Sequence, residues 1–264
     1  MSEICKKLDA SISKYIRPLT FPVVVKFVKE GEAIPEKAKV PTKALGYPIA
    51  ICQAMTIARK YGWTLAMYKE DQACPLSHVI LGYAEEPDFI KGGSVIKPLY
   101  VDNDEAAVKT QASTPKMPTA DTQCIVLAPL HLATFDPDVV VCYGNSAQIT
   151  RFVQGALYKV GGYIESRFAG RGACGGEITV PYSQDKCNVI VPGGGERVFA
   201  LTGDDELAFA MPASWIDRVM EGLEATHKGG VARIPTPAAG VMMKPAFPKY
   251  YWELETYCGL REKG

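Results

Sequence analysis

The chain passes twice through a strand, a helix and a glycine, and each passage ends at a cysteine in an Ala-Cys pair. The two cysteines, Cys74 and Cys174, each follow their glycine by twelve residues. This order predicts an α+β fold, with mixed sheets and flanking helices, built from two related halves at about 19–84 and 123–203. An internal duplication would place the two thiols at equivalent positions around one axis, where a ligand can be held from both sides.

Hydrophobic periodicity and capping residues extend this prediction along the chain. We expect residues 1–235 to form one compact unit, and the proline-rich and aromatic stretch 236–264 to pack as a tail on the body or on a partner subunit. The predicted helices lie at about 4–16, 49–61, 75–81, 104–111, 147–160 and 214–226. The predicted strands lie at about 23–28, 63–68, 125–130, 139–143, 188–191, 197–201 and 207–210.

The composition argues against several classes of function. Acidic and basic side chains balance at 29 each, and no run of like charges suggests a nucleic-acid or anionic membrane surface. The N-terminus lacks a basic segment followed by an apolar stretch, and no window approaches a membrane span. We therefore expect a cytoplasmic homo-oligomer that binds neither nucleic acid nor membrane.

Eight cysteines in 264 residues are too sparse for a small secreted disulfide scaffold. Cys74 precedes Pro75 at a predicted helix start, where the partial positive charge favours thiolate. Cys52 falls in the first turn of the 49–61 helix, and Cys187 opens a strand. Their spacings fit no zinc-ribbon or ferredoxin motif, so buried structural thiols and a shared thiolate site both remain open at this point.

Three consecutive glycines at 193–195 follow the predicted strand at 188–191. Backbone there can approach a ligand closely, so Gly193 and Gly194 could cradle an anion with Arg197 as a bidentate partner. The stretch matches neither a P-loop nor a dinucleotide fingerprint, and a tight hairpin turn is the alternative. Of the dispersed histidines, only His78 lies one helical turn from a candidate cysteine.

Several segments together resemble the prokaryotic family known as domain of unknown function 169, found in archaea and anaerobic bacteria. The resemblance spans about residues 15–225. It is carried by the segments Phe21-Pro-Val-Val-Val-Lys-Phe27, Glu70-Asp-Gln-Ala-Cys74-Pro, Ala128-Pro-Leu130, Pro137-Asp-Val-Val-Val, and Cys187 with Pro192-Gly-Gly-Gly-Glu-Arg197.

The resemblance implies that Cys52, Cys74, Cys174 and Cys187 match family cysteines, and it brings no established activity. We therefore expect a metal site formed by these four cysteines in a cofactor-binding protein. An iron–sulfur cluster serving anaerobic redox or one-carbon metabolism is the first candidate, with zinc or a haem or other tetrapyrrole as alternatives. The other expectation is an enzyme or sensor that binds a small anionic metabolite through Gly193–Gly195 and arginines, with structural cysteines only.

Overall fold

The computed structural model describes residues 1–119 and 122–229, together with 253–254 and 257–259. The chain divides into two units, Met1–Ile234 and Pro235–Gly264. Most of the 236–264 tail lies outside the described residues, and its packing stays a prediction. No helix within the described ranges is long and apolar enough to cross a membrane.

The first unit is built on one antiparallel sheet flanked by helices on both faces, which confirms the α+β class. The strands are β1 (Val23–Lys29), β2 (Leu65–Tyr68), β3 (Thr122–Pro129), β4 (Val139–Gly144), β5 (Asn188–Ile190) and β6 (Leu207–Pro212). The α-helices are α1 (Glu3–Tyr15), α2 (Pro41–Ala44), α3 (Ile51–Tyr61), α4 (Pro75–Ile80), α5 (Asp88–Lys91), α6 (Asp104–Ala112), α7 (Ser146–Leu157), α8 (Val180–Gln184), α9 (Gly194–Ala200) and α10 (Ile216–Lys228).

The central strands are apolar at nearly every position because both faces of the sheet are covered. Alternate residues of β4 show the division: Val139, Val141 and Tyr143 point to one face, while Val140 and Cys142 point to the other. The first face, here called the α3 face, also packs against α4 and a π-helical turn at Gly175–Thr179. The second, the α7 face, packs against α1, α7 and α10.

The structure does not show the predicted duplication. The strand order β2-β3-β1-β4-β6-β5 is itself symmetric about the β1–β4 pair. A two-fold axis that exchanges neighbouring antiparallel strands stands perpendicular to the sheet and keeps its faces unchanged. The two helices predicted to be equivalent, α3 and α7, nevertheless lie on opposite faces. The two halves of the chain therefore resemble each other in strand order but not in the placement of their helices.

The predicted strand at 197–201 is wrong, because these residues belong mainly to α9. The apolar pair Val198-Phe199 suggested a buried strand, yet both side chains are exposed. The residues that α9 buries are Glu196 and Ala200, which are four apart and therefore share one helical face. Because one of the two buried positions is a glutamate, the apolar residues of this segment do not show a helical period.

Candidate functional site

The backbone of two segments that are distant in sequence holds Cys52 and Cys74 in one region of the α3 face. The side-chain oxygen of Gln72 accepts hydrogen bonds from the Ile51 N–H at 3.1 Å and from the Cys74 N–H at 3.3 Å. Gln72 thus joins the first turn of α3, which carries Cys52, to the residue that caps α4. Its amide nitrogen Nε2 is buried without a hydrogen-bond partner.

The π-helical turn supplies the third cysteine. Cys174 immediately precedes this turn and is buried in the core of the α3 face. The Thr179 hydroxyl donates to the Ile80 carbonyl at 3.0 Å, which ties the turn to the end of α4. Single π-helical turns cost regular hydrogen bonding and occur often at functional sites. Cys52, Cys74 and Cys174, here called the thiol cluster, therefore belong to three segments that are linked by hydrogen bonds on the α3 face.

The thiols of the cluster influence one another electrostatically. Burial, with negative charge at Glu196, Glu177 and Cys74 as smaller causes, raises the pKa of the Cys52 thiol to about 12. Burial also raises the pKa of Cys174 well above its ordinary value, followed by the charges of Cys52 and Cys74. Nucleophilic cysteines have lowered pKa values, so these two thiols are poor free nucleophiles and need a strong positive charge to ionise.

Arg171 brings positive charge to this region. It is buried, and its Nη1 donates to two neutral oxygens, those of Gln111 at 3.1 Å and Thr114 at 3.3 Å. Burial lowers the pKa of Arg171, while the charges of Tyr100, Cys174 and Cys74 raise it. The guanidinium therefore lies within electrostatic range of Cys174.

A buried pair of carboxyl groups lies beside the thiol cluster. Glu177 of the π-helical turn and Glu196 of α9 meet at the Tyr143 hydroxyl, which lies 2.6 Å from Glu177 Oε1 and 3.2 Å from Glu196 Oε1. Burial first, and the charge of Glu177 second, raise the pKa of Glu196 well above its usual range. Burial raises the pKa of Glu177, opposed by hydrogen bonds from Tyr143 and Glu196. The pair therefore holds a proton to higher pH than a free glutamate does, and the directions of the two shifts favour Glu196 as its position.

Arg59 supports this pair from α3. Its guanidinium stacks over the Tyr143 ring at 4.0 Å and forms a bidentate pair with Glu206, at 2.6 and 2.9 Å. The Arg59 side chain is fully buried, whereas that of Glu206 is 19% exposed. Because Glu206 already compensates the charge of Arg59, Arg59 acts on the carboxyl pair only as a minor electrostatic cause that lowers the pKa of both groups.

Cys187, predicted as the fourth ligand, does not join the thiol cluster. It belongs to the hydrophobic core of the α7 face, whereas Asn188, the next residue, hydrogen-bonds Gly176 at the opposite face. Strand alternation at the start of β5 produces this separation. Burial raises the pKa of Cys187 to about 12, and its charged neighbours are Arg218 and Asp185 rather than another cysteine.

The three glycines form the start of α9 instead of a hairpin turn. The Gly194 N–H donates to the Gly170 carbonyl at 3.1 Å, so the two glycine-rich loops are joined by backbone. Arg197, the predicted anion partner, donates to the Gly203 carbonyl at 2.6 Å and lies 3.7 Å from Asp204. Gly193, Gly194 and Arg197 thus have structural roles in the fold.

We expect Gly193→Ala to destabilise the protein by about 1–3 kcal/mol, because a Cβ there would lie 2.7 Å from the Gly170 carbonyl oxygen. The matched control is Gly195→Ala, whose Cβ would meet only the Phe199 ring at 3.7 Å. That change should be neutral or stabilising by up to about 1 kcal/mol. Urea unfolding measures both variants, and equal stabilities would contradict the close loop contact.

His78 is positioned by backbone rather than by a ligand. Its Nε2 lies 2.7 Å from the Gln72 carbonyl oxygen. A carbonyl can only accept, so Nε2 carries a proton in this contact. His78 thereby adds a second connection between α4 and the segment that holds Cys74.

A family model matches residues 11–222, which is most of the chain, and its description reads uncharacterised ArCR, domain of unknown function 169. The chain belongs to this family. Neither a curated protein nor a solved structure matches it. The DUF169 assignment agrees with the resemblance carried by the segments around Cys74 and Cys187, and it brings no activity with it.

Several residues of this DUF169 site have no motif that would predict their role. Glu177 lies among small and apolar residues, in Gly-Gly-Glu177-Ile, whereas Arg59 and Glu196 each adjoin another charged residue, Lys60 and Arg197. A charged residue flanked by small and apolar ones is a signal that could have singled out Glu177, because such residues are rarely buried without a partner.

Proposed function

We propose that this DUF169 protein binds an iron–sulfur cluster through Cys52, Cys74 and Cys174. The observation that supports the proposal is that three thiols, from the first turn of α3, the start of α4 and the residue before the π-helical turn, lie within electrostatic range of one another, with Arg171 as nearby positive charge. A cluster of this kind supplies one-electron transfer when it is bound.

A site for a single metal ion and an iron–sulfur cluster require different spacings of their cysteine ligands. Among the described residues, no group of three or more His, Cys, Asp or Glu side chains is arranged to hold a metal ion. Thiolates around one zinc ion lie about 3.8 Å apart, as follows from tetrahedral geometry and Zn–S bonds of about 2.3 Å. A cluster places several irons and sulfides between its ligands, so its cysteines stand farther apart than those around one ion.

The chain also offers groups that suit a buried sulfur-rich cofactor. The unpartnered Nε2 of Gln72 is a donor beside the Cys74 segment, and hydrogen bonds to sulfur tune such cofactors. Coordination by iron provides the positive charge that Cys52 and Cys174 need in order to ionise.

This proposal keeps the expectations of a cytoplasmic, homo-oligomeric protein of an anaerobe, because an anoxic cytoplasm preserves both thiols and clusters. It differs from the sequence-based expectation in one respect. The four-cysteine set does not fit, since Cys187 lies in the core of the α7 face, and the fourth coordination position is assigned to no residue.

The test is purification without oxygen, followed by reconstitution with ferrous iron and sulfide. We expect a broad absorption near about 400 nm, bound iron and sulfide, and an electron paramagnetic resonance signal after reduction. Cys52→Ser, Cys74→Ser and Cys174→Ser should each remove most of the absorption, because each removes a ligand.

Cys187→Ser is the matched control, since it is the same substitution at a buried cysteine outside the thiol cluster. It should retain the absorption and the iron content of the parent protein. Loss of colour in Cys187→Ser together with the other three would contradict the three-cysteine site. A colourless, iron-free parent protein with intact thiols after reconstitution would refute cluster binding altogether.

A further inference from the structure

A cavity of about 720 Å³ opens at the edge of the sheet beside β5. The glycine-rich loop that carries Arg171 forms one wall, and β5 forms another. The inner wall is buried and includes Arg171 and Asn188, while Phe168 and Lys186 are exposed at the rim. Cavities of this size are typical of sites for small organic molecules.

The charges around this cavity do not balance. Three cations line it, Arg167, Arg171 and Lys186, against one carboxylate, Glu165. Glu165 pairs with Arg167 at 3.3 Å. Within the part of the chain that the structure describes, Arg171 and Lys186 form no salt bridge. The cavity therefore has positive charge left over for a ligand.

Of these two cations, Arg171 gives the stronger indication of an anion site, because it is 91% buried and only 9% exposed. Burying a guanidinium is costly unless its charge is compensated, and its hydrogen-bond partners Gln111 and Thr114 are neutral. A guanidinium carries five N–H donors in a planar fork, and the bonds to these two partners both come from Nη1. The fork suits the planar or tetrahedral oxygens of an anion.

The remainder of the lining is apolar and aromatic. Ile164, Phe168 and Trp215 contribute to it, and Trp215 is only partly exposed. Such walls favour a ligand with an apolar body. We propose that this cavity binds a small organic acid, with its anionic group held by Arg171 and its apolar body against these side chains.

The proposed cavity site is separate from the thiol cluster but adjoins it in the chain. Arg171 lines the cavity, and Cys174 follows it by three residues in the same loop. Bound anion and thiol cluster would thus share the charge of one arginine. The proposal goes beyond cluster binding and requires no cofactor, so its test uses the apoprotein.

The probe is 8-anilinonaphthalene-1-sulfonate, an aromatic anion, compared with N-phenyl-1-naphthylamine, which lacks the sulfonate. Fluorescence titration of the parent protein should show one anionic probe bound per chain, at least about tenfold more tightly than the neutral probe. Arg171→Gln should weaken the anionic probe at least about tenfold and leave the neutral probe unchanged. Benzoate and phenyl phosphate should displace the anionic probe, and the stronger competitor identifies the anionic group.

Lys6→Gln is the control, because Lys6 is an exposed cation on α1, away from the cavity. It should bind both probes as the parent does. Ala169→Trp, at an exposed position of the cavity lining, should weaken both probes and keeps the proposal testable if Arg171→Gln does not fold. Equal affinity for the two probes, or unchanged binding in Ala169→Trp, would overturn the assignment.

Discussion

Gly222→Ala should destabilise the protein by about 3 kcal/mol or more, because among the described glycines an added Cβ would approach backbone most closely at this position. Helices α7 and α10 cross where Gly222 of α10 meets Gly155 of α7. A Cβ on Gly222 would lie 1.9 Å from the Gly155 carbonyl oxygen and 2.7 Å from its carbonyl carbon. Backbone cannot rotate away as a side chain can, so the two helices must separate.

Separation of these helices would also disturb buried polar contacts. Arg151 of α7 donates to the Leu223 carbonyl at 3.0 Å and to the Thr226 hydroxyl at 2.8 Å, both on α10. Arg151 is fully buried, and a guanidinium that loses its acceptors there incurs a further desolvation cost. These losses outweigh the gain of up to about 1 kcal/mol in helix propensity that alanine brings.

Urea unfolding of three glycine-to-alanine variants measures this effect. Gly155→Ala should be less harmful, because its Cβ would meet Leu223 at 3.0–3.2 Å, mostly side-chain atoms. Gly229→Ala should be nearly neutral, since its Cβ would lie 3.6 Å from its nearest neighbours. A Gly222→Ala variant as stable as Gly229→Ala would show that the helices are not in contact there. Thiol-cluster readouts should survive in any folded variant, because this crossing lies on the α7 face.

Much of the architecture could be predicted from periodicity alone. The 49–61 helix and the 139–143 strand agree with α3 and β4 to within about two residues, because each buries a regular pattern of apolar side chains. Strand order and the face on which a helix packs depend on contacts between distant segments. A single sequence gives no such contacts, and for that reason a likeness between two strands does not predict the placement of the helices that follow them.

The candidate site could also be predicted only in part, because its geometry depends on contacts between distant segments. Cys74 before Pro75 marks a helix start, and the structure places it as the residue that caps α4. The position of Cys187 depended on which face of β5 it occupies, which requires the register of β5 against β6. The buried carboxyl pair required a π-helical turn and a short helix to meet at Tyr143, and neither element has a reliable local sequence signal.

The carboxyl pair should make the folded protein less stable as pH rises, and Glu196→Gln should remove much of that dependence. The folded protein holds a proton on Glu196 above pH 4.5, whereas the unfolded chain has released it, so each pH unit costs up to about 1.4 kcal/mol per proton. Glutamine resembles the protonated acid. We therefore expect Glu196→Gln to match the parent near pH 5 and to exceed its stability clearly at pH 8, in urea unfolding of the apoprotein.

Glu206 has a lowered pKa, so its contribution is lost only as pH falls below about 4.5 and does not enter this window. Glu221→Gln, at an exposed position, should keep the parent's slope, and parallel slopes for all three proteins would mean that Glu196 is ionised in the folded state.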